Sequence, residues 1–285
     1  MTNTSFALLP DDEDVAFYRE SGYWVSPPVL TDDALDAAER GMRRHYAGDV
    51  DHEVPGDPEG KLWGWRSSDG DVLRKNDHAS LRVADLALLV RQSFISAAAA
   101  RLAGAKEIRL WHDQLLYKPS GSTRPGNVGW HTDRQYWRSC SSEEMLTAWV
   151  PFHDVTDDHG PLMFAAGSHR WNEQPDLSFF DQDLTTIERH ADEHDLRIVS
   201  VTLTRGQISF HHSKTLHGSG PNHSGEARRS IAIHLQPGDN RHATVHHPDG
   251  TRAGHHLDLL VAARPDGAPD YTDPALCPRL WPAAG

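Results

Sequence analysis

The chain has 285 residues, of which 38% are hydrophobic and 24% are charged, which is enough apolar content for one large domain or two small ones. A formal net charge of −13 disfavours nucleic acid and anionic membrane surfaces as the main partner and favours a small molecule. Two cysteines exclude a multi-disulfide framework, the N-terminus lacks the basic segment of a signal peptide, and no window reaches the roughly eighteen apolar residues of a membrane span, so we expect a cytoplasmic protein.

The N-terminal region of the chain is expected to be mainly helical. A short amphipathic helix is predicted over residues 14–22. Thr31 is a typical N-cap, because the two aspartates that follow it would interact favourably with the helix dipole. Residues 47–80 are rich in Gly and Asp and are predicted to form a loop. A second long helix is predicted over about residues 84–102, ending at Gly104.

From Ile108 onward the pattern changes to short β-branched and aromatic segments separated by turn residues. These segments are IRLWHDQLLYK, MLTAWVPF, RIVSVTL, QISFHH and SIAIHLQ. Their spacing is typical of a sandwich or barrel. We therefore predict a mainly β fold, a double-stranded β-helix (jelly-roll, cupin-like) core with a helical layer on one side. We expect a single domain over residues 1–285, with a helical N-terminal region (residues 1–105), a jelly-roll core (residues 106–237) and an irregular C-terminal tail (residues 238–285).

The segment GWHTDRQYW, residues 129–137, sets His131 and Asp133 one residue apart. Residues i and i+2 of a strand point to the same face, so both side chains can aim at one point inside a barrel. His217, in FHHSKTLHGSGPN, is the best candidate for a third ligand. Two imidazoles and one carboxylate form the facial triad of non-haem Fe(II) oxygenases. A solvated turn is the competing interpretation, since a chain with 20 histidines contains such pairs by chance.

Four motifs, in order, resemble the phytanoyl-CoA dioxygenase (PhyH-like) family of Fe(II)/2-oxoglutarate oxygenases. FYRESGYWVSPPVLTDDALDAA resembles the family's N-terminal helix, strand and helix, and LLYKP leading to GWHTDRQYW resembles its strand and HxD motif. TAWVPFHDVTDDHGPLMFAAGSH resembles its tryptophan strand and Gly-Ser-His, and HGSGPNHSGEARRSIAIHL resembles its distal histidine, serine and arginine segment. The resemblance implies a jelly-roll enzyme that uses Fe(II), with 2-oxoglutarate and O2 as cosubstrates.

The resemblance also assigns roles to individual residues. His131, Asp133 and His217 would be the catalytic iron ligands. Arg228 matches the arginine that binds the C5 carboxylate of 2-oxoglutarate, a role that suits the two parallel donors of a guanidinium. The other implied cosubstrate residues are Ser219, Trp149, Gln114 and Lys75.

Strand parity around Arg228 supports its assignment. Its alternate neighbours form a small or polar face, comprising Ser230, Ala232 and His234. The intervening positions form an apolar face, comprising Ile231, Ile233 and Leu235. Arg229 is then expected to point away from the site.

The chemistry implied by the resemblance is oxidative. Decarboxylation of 2-oxoglutarate yields succinate and drives hydrogen abstraction from a substrate C–H bond. Hydroxylation is the expected outcome, with epimerisation, oxidative ring closure and desaturation as alternatives. An intact Asp133 disfavours halogenation, because halogenating relatives have a small residue at this position.

The substrate is expected to be a small, hydrophobic natural product of secondary metabolism, of the antibiotic type. The family layout that the resemblance implies places four aromatic residues at the pocket mouth: Tyr136, Trp137, Trp63 and Trp65. Packing of a lid is the competing role for these aromatic residues. The acidic composition disfavours a CoA thioester, whose phosphates would favour a basic rim.

Three other functions stay open at this point. A cosubstrate-independent metal cupin enzyme would need no arginine clamp, and a non-enzymatic jelly-roll binding module would need no iron. A catalytically inactive relative would bind the cosubstrate alone, which the complete triad disfavours. The remaining histidines are expected to be structural or exposed, including His255 and His256 in the tail, while one of His211 and His212 faces the barrel.

Overall fold

Helices and one short strand form the N-terminal region of the chain. The computed structural model describes residues 5–57, 64–121, 126–247 and 249–282. Helix α1 (Asp12–Ser21) begins after Asp11, whose side chain accepts backbone N–H groups of the first turn, and ends at Gly22 in the left-handed conformation. Strand β1 (Tyr23–Val25) follows. Helix α2 (Asp32–Tyr46) begins at the predicted N-cap Thr31, whose hydroxyl accepts the N–H of Ala34.

The next elements differ from the prediction in two places. Strand β2 (Arg74–Asp77) lies inside the segment predicted as a loop, and α3 (Ala79–Arg82) follows it. The single helix predicted over 84–102 is wrong, because the chain forms α4 (Ala84–Val90) and α5 (Ser93–Leu102) with a break between them. Helix α4 packs on α2, whereas α5 packs on strands of the sheet, and one straight helix would not reach both partners.

The remaining strands form two antiparallel sheets. They are β3 (Ile108–Lys118), β4 (Val128–His131), β5 (Leu146–Pro151), β6 (Leu162–Ala165), β7 (Ile198–Val201), β8 (Ser209–His212), β9 (His217–Ser219), β10 (Arg228–Pro237) and β11 (Arg279–Trp281). The larger sheet has the order β1-β8-β5-β10-β3-β11, with β2 also paired to β3, and the smaller sheet has the order β4-β9-β6-β7. Residues of both sheets line one internal cavity, which is the predicted jelly-roll arrangement.

The larger sheet buries an apolar face against the helices and turns a polar face inward. The β10 residues in the helix-facing core are Ile231, Ile233 and Leu235. The β10 residues that line the cavity between the sheets are Arg228, Ala232 and His234. Arg229 points away, with its guanidinium 3.3 Å from the carboxylate of Glu226. The predicted strand parity is therefore confirmed, and it determines which side chains enter the site.

The C-terminal tail, which was predicted to be irregular, contains a short strand and a 3-10 turn. Strand β11 extends the larger sheet beside the start of β3. A turn of 3-10 helix, His256–Leu259, carries Leu257 into a second apolar cluster with Trp111 and Tyr271. Apolar packing against Trp111 on β3 thus holds this part of the tail on the barrel. None of the helices within the described residues combines the length and hydropathy that a membrane span requires.

Candidate metal centre

Strands β4 and β9 of the smaller sheet bring the predicted triad together. His131 ends β4 and is directly paired with His217, which begins β9. Asp133 follows at the start of a short 3-10 turn capped by Thr132. The Nε2 atoms of His131 and His217 lie 4.0 and 3.8 Å from Oδ1 of Asp133. All three side chains are buried, and their ligand atoms converge on one point.

A glycine in the motif permits the packing around the triad. A Cβ atom at Gly129 would lie 2.2 Å from the carbonyl oxygen of Ser178, so only glycine fits there. The close approach brings the ring of Phe179 to 5.0 Å, centroid to centroid, from the ring of His131. An apolar side chain therefore covers one side of the metal centre, although the sequence did not point to Phe179.

The hydrogen bonds of the two imidazoles fix their tautomers. Nδ1 of His131 donates to the carbonyl of Gly129 at 2.8 Å, and Nδ1 of His217 donates to that of Thr215 at 3.0 Å. A carbonyl oxygen only accepts, so each ring has its proton on Nδ1 and a free lone pair on Nε2. Burial lowers the pKa of both rings and favours the neutral, ligating form.

Asp133 supplies an oriented carboxylate. Burial alone would raise the pKa of Asp133, but His217 and His211 beside it hold that pKa well below its usual range. The hydroxyl of Thr147 donates to Oδ2 at 2.6 Å, and Nε2 of His211 lies 3.3 Å from the same oxygen. Oδ2 is therefore held from behind while Oδ1 faces the two imidazoles. Two neutral nitrogens and one anionic oxygen are a donor set that fits a divalent iron ion.

Thr147 also fixes the tautomer of a further histidine. Its oxygen lies 2.7 Å from Nδ1 of His234. Because its one proton goes to Asp133, the hydroxyl must accept at this contact, so His234 donates through Nδ1 and has its lone pair on Nε2. Sequence analysis gave no role to Thr147 and placed His234 only on the polar face. Strand parity with Trp149 on β5 is the signal that would have found Thr147.

An inner cavity of about 50 Å³ lies between the sheets beside the triad. Four of the predicted cosubstrate residues line it, namely Gln114, Trp149, Ser219 and Arg228. Arg228 is 2% exposed, and its guanidinium carbon lies 5.3 Å from the ring centroid of Trp149. One of its terminal nitrogens donates to the carbonyl of Gly160, while its Nε has no partner. Burial lowers the pKa of Arg228 to about 10, which leaves it cationic at neutral pH.

Lys118 is a second basic residue at this end of the site, and sequence analysis missed it. Its Nζ donates to Oγ of Ser219 and to the carbonyl of Gly220, both at 2.6 Å. Burial and the nearby charge of Arg228 lower the pKa of Lys118 well below its usual value. Within the described portion of the chain, no carboxylate contributes to the pKa of either basic group. A bound anion would supply the missing charge, and a carboxylate of 2-oxoglutarate has that chemistry.

An outer cavity of about 330 Å³ opens from the triad toward the surface. Its predicted members include Tyr136 and Trp137, and Gln114 lines both cavities. Lys75 also lies here, with Nζ 3.4 Å from Oδ1 of Asp77, rather than in the inner cavity with Arg228. Its predicted contact with 2-oxoglutarate stays a prediction.

Trp65 does not lie at the pocket mouth, where it was predicted. It lines neither cavity, because its ring packs edge-on to Tyr46 at 5.5 Å and under the guanidinium of Arg74 at 4.2 Å. Trp63, the other tryptophan predicted there, lies outside the described residues. The aromatic lining of the outer cavity instead includes Phe179 and Phe180.

The expectation that His255 and His256 are surface residues of the tail is wrong. Both line the outer cavity, because the 3-10 turn of the tail lies over this region of the barrel. The ring of His255 lies 4.9 Å from that of His112 on β3. The expectation that one of His211 and His212 faces the barrel is confirmed by His211, which contacts Asp133.

A second cluster with the composition of a metal site contains His153, His159 and Glu226. Nε2 of His153 accepts the backbone N–H of Arg229 at 3.0 Å, and its Nδ1 donates to the carbonyl of Asp154 at 2.7 Å. Both ring nitrogens are therefore already used. Among the described residues, only the triad at His131 combines convergence with free lone pairs.

Comparisons with known proteins agree with this geometry. The model of the family described as Phytanoyl-CoA dioxygenase (PhyH) matches residues 18–230. The chain is 26% identical over 166 residues to a probable alpha-ketoglutarate-dependent hypophosphite dioxygenase of Stutzerimonas stutzeri, with 57% of this chain and 56% of that protein covered. The chain spans about half the length of the relatives that it matches by sequence.

Solved structures show the same fold over almost the whole chain. The alpha ketoglutarate dependent carbocyclase SnoK from nogalamycin biosynthesis has a TM-score of 0.70 at 24% identity, with 98% of this chain and 99% of SnoK covered. The epimerase SnoN in complex with Fe3+, alpha ketoglutarate and nogalamycin RO has a TM-score of 0.67 at 24% identity, with 94% and 98% covered. The predicted jelly-roll fold with a helical layer is confirmed.

Proposed function

Because the chain belongs to the phytanoyl-CoA dioxygenase family, we propose that it is an Fe(II)- and 2-oxoglutarate-dependent dioxygenase that oxidises a C–H bond of a small, largely apolar natural product. The observation that carries this proposal is the buried triad, in which two imidazole lone pairs and one carboxylate oxygen converge. Iron, 2-oxoglutarate and O2 together supply the oxidising power that removes hydrogen from an unactivated carbon.

The protein's own residues first have to hold and orient the metal ligands. His131, Asp133 and His217 would hold the metal through Nε2, Oδ1 and Nε2. Thr147 donates to Oδ2 of Asp133 and so keeps the carboxylate anionic and correctly turned. Neither imidazole offers a proton at the metal face, because both rings have their protons on Nδ1, bonded to carbonyl groups.

The inner cavity is proposed as the cosubstrate site. Arg228 and Lys118 would bind the distal carboxylate of 2-oxoglutarate, with the hydroxyl of Ser219 beside them. Trp149 supports the guanidinium through its ring face. Gln114, which borders both cavities, would lie between cosubstrate and substrate. A dianion bound here gains attraction that water would weaken, because this end is buried.

The outer cavity is proposed as the substrate site. It has a volume of about 330 Å³, and its lining includes His131 and Asp133, so a molecule bound there lies beside the metal. Within its described lining, Lys75 is the only Lys or Arg, and Asp77 compensates its charge. This arrangement disfavours a CoA thioester or a simple oxyanion.

The expected outcome is hydroxylation in the biosynthesis of an antibiotic-type natural product. The natural-product setting is supported by the likeness to SnoK and SnoN, both named from nogalamycin biosynthesis. Their names, carbocyclase and epimerase, also make ring closure and epimerisation the alternative outcomes for this chain. Which outcome follows depends on how the substrate is held rather than on the ligand set.

The proposal is tested by adding Fe(II) and 2-oxoglutarate to the metal-free protein under anaerobic conditions. We expect the weak visible charge-transfer band of an iron-bound 2-oxo acid in the wild type and its loss in His131→Ala. His153→Ala, in the second cluster, is the matched control and should keep the band. Bound iron without any band would contradict the 2-oxoglutarate assignment and favour a cosubstrate-independent cupin enzyme.

A further inference from the structure

Histidines form much of the polar wall of the outer cavity, and the proposed chemistry does not use them. We name four of them the histidine wall: His112, His234, His255 and His256. Their rings are in close contact, with centroids 4.4 Å apart for His112 and His234 and 4.0 Å apart for His255 and His256. These rings therefore place several hydrogen-bonding groups beside the metal centre.

His112 is the member with no satisfied polar atom. It is 1% exposed, and neither of its ring nitrogens has a hydrogen-bond partner. Burying a polar atom without a partner is costly, so native structures rarely leave both nitrogens of a ring in this state. Because His112 also lines the outer cavity, a molecule bound there can supply a missing partner.

His234 adds an acceptor of known direction. Its Nδ1 donates to Thr147, so its Nε2 has a lone pair, and this atom has no partner. An acceptor in this position accepts a hydrogen bond from a hydroxyl or an amine, and it cannot donate one to a carboxylate. The histidine wall therefore offers a fixed acceptor at His234 beside a ring at His112 that can donate and accept.

The wall is also uncharged. Burial lowers the pKa of His112, His255 and His256, the last to about 4, so these rings are neutral at physiological pH. Lys75 and Asp77 form an ion pair at 3.4 Å, and their charges cancel. The cavity therefore offers hydrogen bonds without a net charge that would attract an anion.

Aromatic side chains supply much of the remaining lining. Trp137 packs edge-on to His234 at 4.8 Å between centroids, and Tyr136 and Phe179 line the same space. Phe180, at the mouth, is 76% exposed. Aromatic rings of this kind stack with flat molecules and contribute binding free energy beyond simple area burial.

We propose that the outer cavity recognises an uncharged, planar ring system with hydroxyl groups, which hydrogen-bond to His112 and His234 while the ring packs on Phe179, Tyr136 and Trp137. His112 is the specificity-determining residue. This inference rests on the proposed function for one point, that the outer cavity is the substrate site. It adds the chemical class of the substrate. Carboxylates and phosphates do not belong to that class.

The test measures binding without turnover. The full chain is loaded with Zn(II), which has no redox chemistry, and titrated calorimetrically with three probes that share the naphthalene ring. The probes are naphthalene-2,7-diol, 2,7-dimethylnaphthalene and naphthalene-2-carboxylate. We expect the diol to bind about tenfold more tightly than either of the others, as a satisfied pair of buried hydrogen bonds predicts.

Variants at the wall give the second half of the test. His112→Phe should abolish the preference for the diol and leave the affinity for 2,7-dimethylnaphthalene unchanged. His112→Asn, which keeps a donor and an acceptor, should retain part of the preference for the diol. His52→Phe, at an exposed position, is the control for an added aromatic ring. Thermal unfolding checks that each variant is folded.

Equal affinities for the three probes, tighter binding of the carboxylate, no binding of the diol, or a diol preference that survives in His112→Phe would each overturn the proposal. If His112→Phe does not fold, the ranking of the probes on the wild type decides alone. The experiment uses neither iron nor 2-oxoglutarate. A diol preference in a protein without the charge-transfer band would thus refute the proposed function only, and a band without the preference would refute only this inference.

Discussion

The two cavities that meet at the triad differ in the charge of their polar groups. The inner one has the buried Arg228 in its lining, Lys118 is bonded to the lining residue Ser219, and no carboxylate pairs with either basic group in the described structure. The outer one has neutral imidazoles and one balanced ion pair, Lys75 with Asp77. Charge at one end selects a small dianion, whereas directional hydrogen bonds and aromatic surface at the other select shape and hydroxyl pattern.

The largest effect should follow from loss of a metal ligand, since both cavities depend on the centre between them. Replacing Asp133 or His217 by alanine should weaken Fe(II) binding by more than about a hundredfold, because even changes to the residues that orient metal ligands cost roughly 10–100-fold. Competition with a chelating indicator under anaerobic conditions measures the affinity. His153→Ala should match the wild type, and a comparable loss in that variant would move the metal site to the second cluster.

The charge of the inner cavity is tested by Arg228→Gln. Removing one partner of a buried, charge-assisted contact costs roughly 2–5 kcal/mol, so the Kd of 2-oxoglutarate should rise about thirtyfold or more. Titration of the charge-transfer band gives this Kd. The neighbour Arg229 points away toward Glu226, so Arg229→Gln should change the Kd by less than about twofold. Equal effects of the two variants would contradict the proposed clamp.

Lys118 should make the cosubstrate-free protein less stable. Its folded-state pKa is depressed by burial and by Arg228, so protonation of Lys118 favours the unfolded chain. Above the unfolded-state pKa near 10.4, Lys118 is neutral in both states and costs no stability. Stability is lost as the pH falls from that value through the lower pKa of the folded state.

Lys118→Met should therefore unfold at a Tm about 2–4 °C above the wild type at pH 7, with the difference shrinking as the pH rises toward 10. The measurement is thermal unfolding of the metal-free protein at both pH values. Addition of Zn(II) and 2-oxoglutarate should stabilise the wild type more than the variant. A Tm difference that does not depend on pH would show that protonation of Lys118 does not destabilise the folded state.

One substitution should give the outer cavity a net positive charge. Asp77→Asn leaves Lys75 without its partner and should tighten binding of naphthalene-2-carboxylate to the Zn(II)-loaded protein by about threefold, as expected for a partly exposed pair. Asp71→Asn, whose carboxylate lies 3.8 Å from Arg74 outside the cavity, is the control. Unchanged affinity in Asp77→Asn would mean that the ion pair does not set the charge of this cavity.

The centre of the site could be predicted from the sequence because strand periodicity determines which residues face inward. Arg228 follows from the parity of β10 and His131 ends β4, whereas Asp133 lies in the 3-10 turn after β4 and was predicted by the HxD motif rather than by strand parity. Lys118 was accessible to the same reasoning, since it shares a face of β3 with Gln114. Local patterns therefore contain most of the information about the inner cavity.

The outer cavity could not be predicted in this way, because its walls come from segments brought together by long-range packing. His255 and His256 belong to a tail that folds back over β3, and no periodicity signals that contact. The break between α4 and α5 has no glycine or proline at Arg91 or Gln92 to mark it, and it arises because the two helices pack on different partners. Trp65 was expected at the mouth from the family layout that the resemblance implies.

Crystals grown anaerobically with Fe(II) and 2-oxoglutarate, measured at the iron absorption edge, would test the division between the cavities most directly. We expect one iron peak bounded by Nε2 of His131, Nε2 of His217 and Oδ1 of Asp133, with the distal carboxylate of 2-oxoglutarate on Arg228 and Lys118. Iron at a different place, or that carboxylate in the outer cavity, would contradict this expectation.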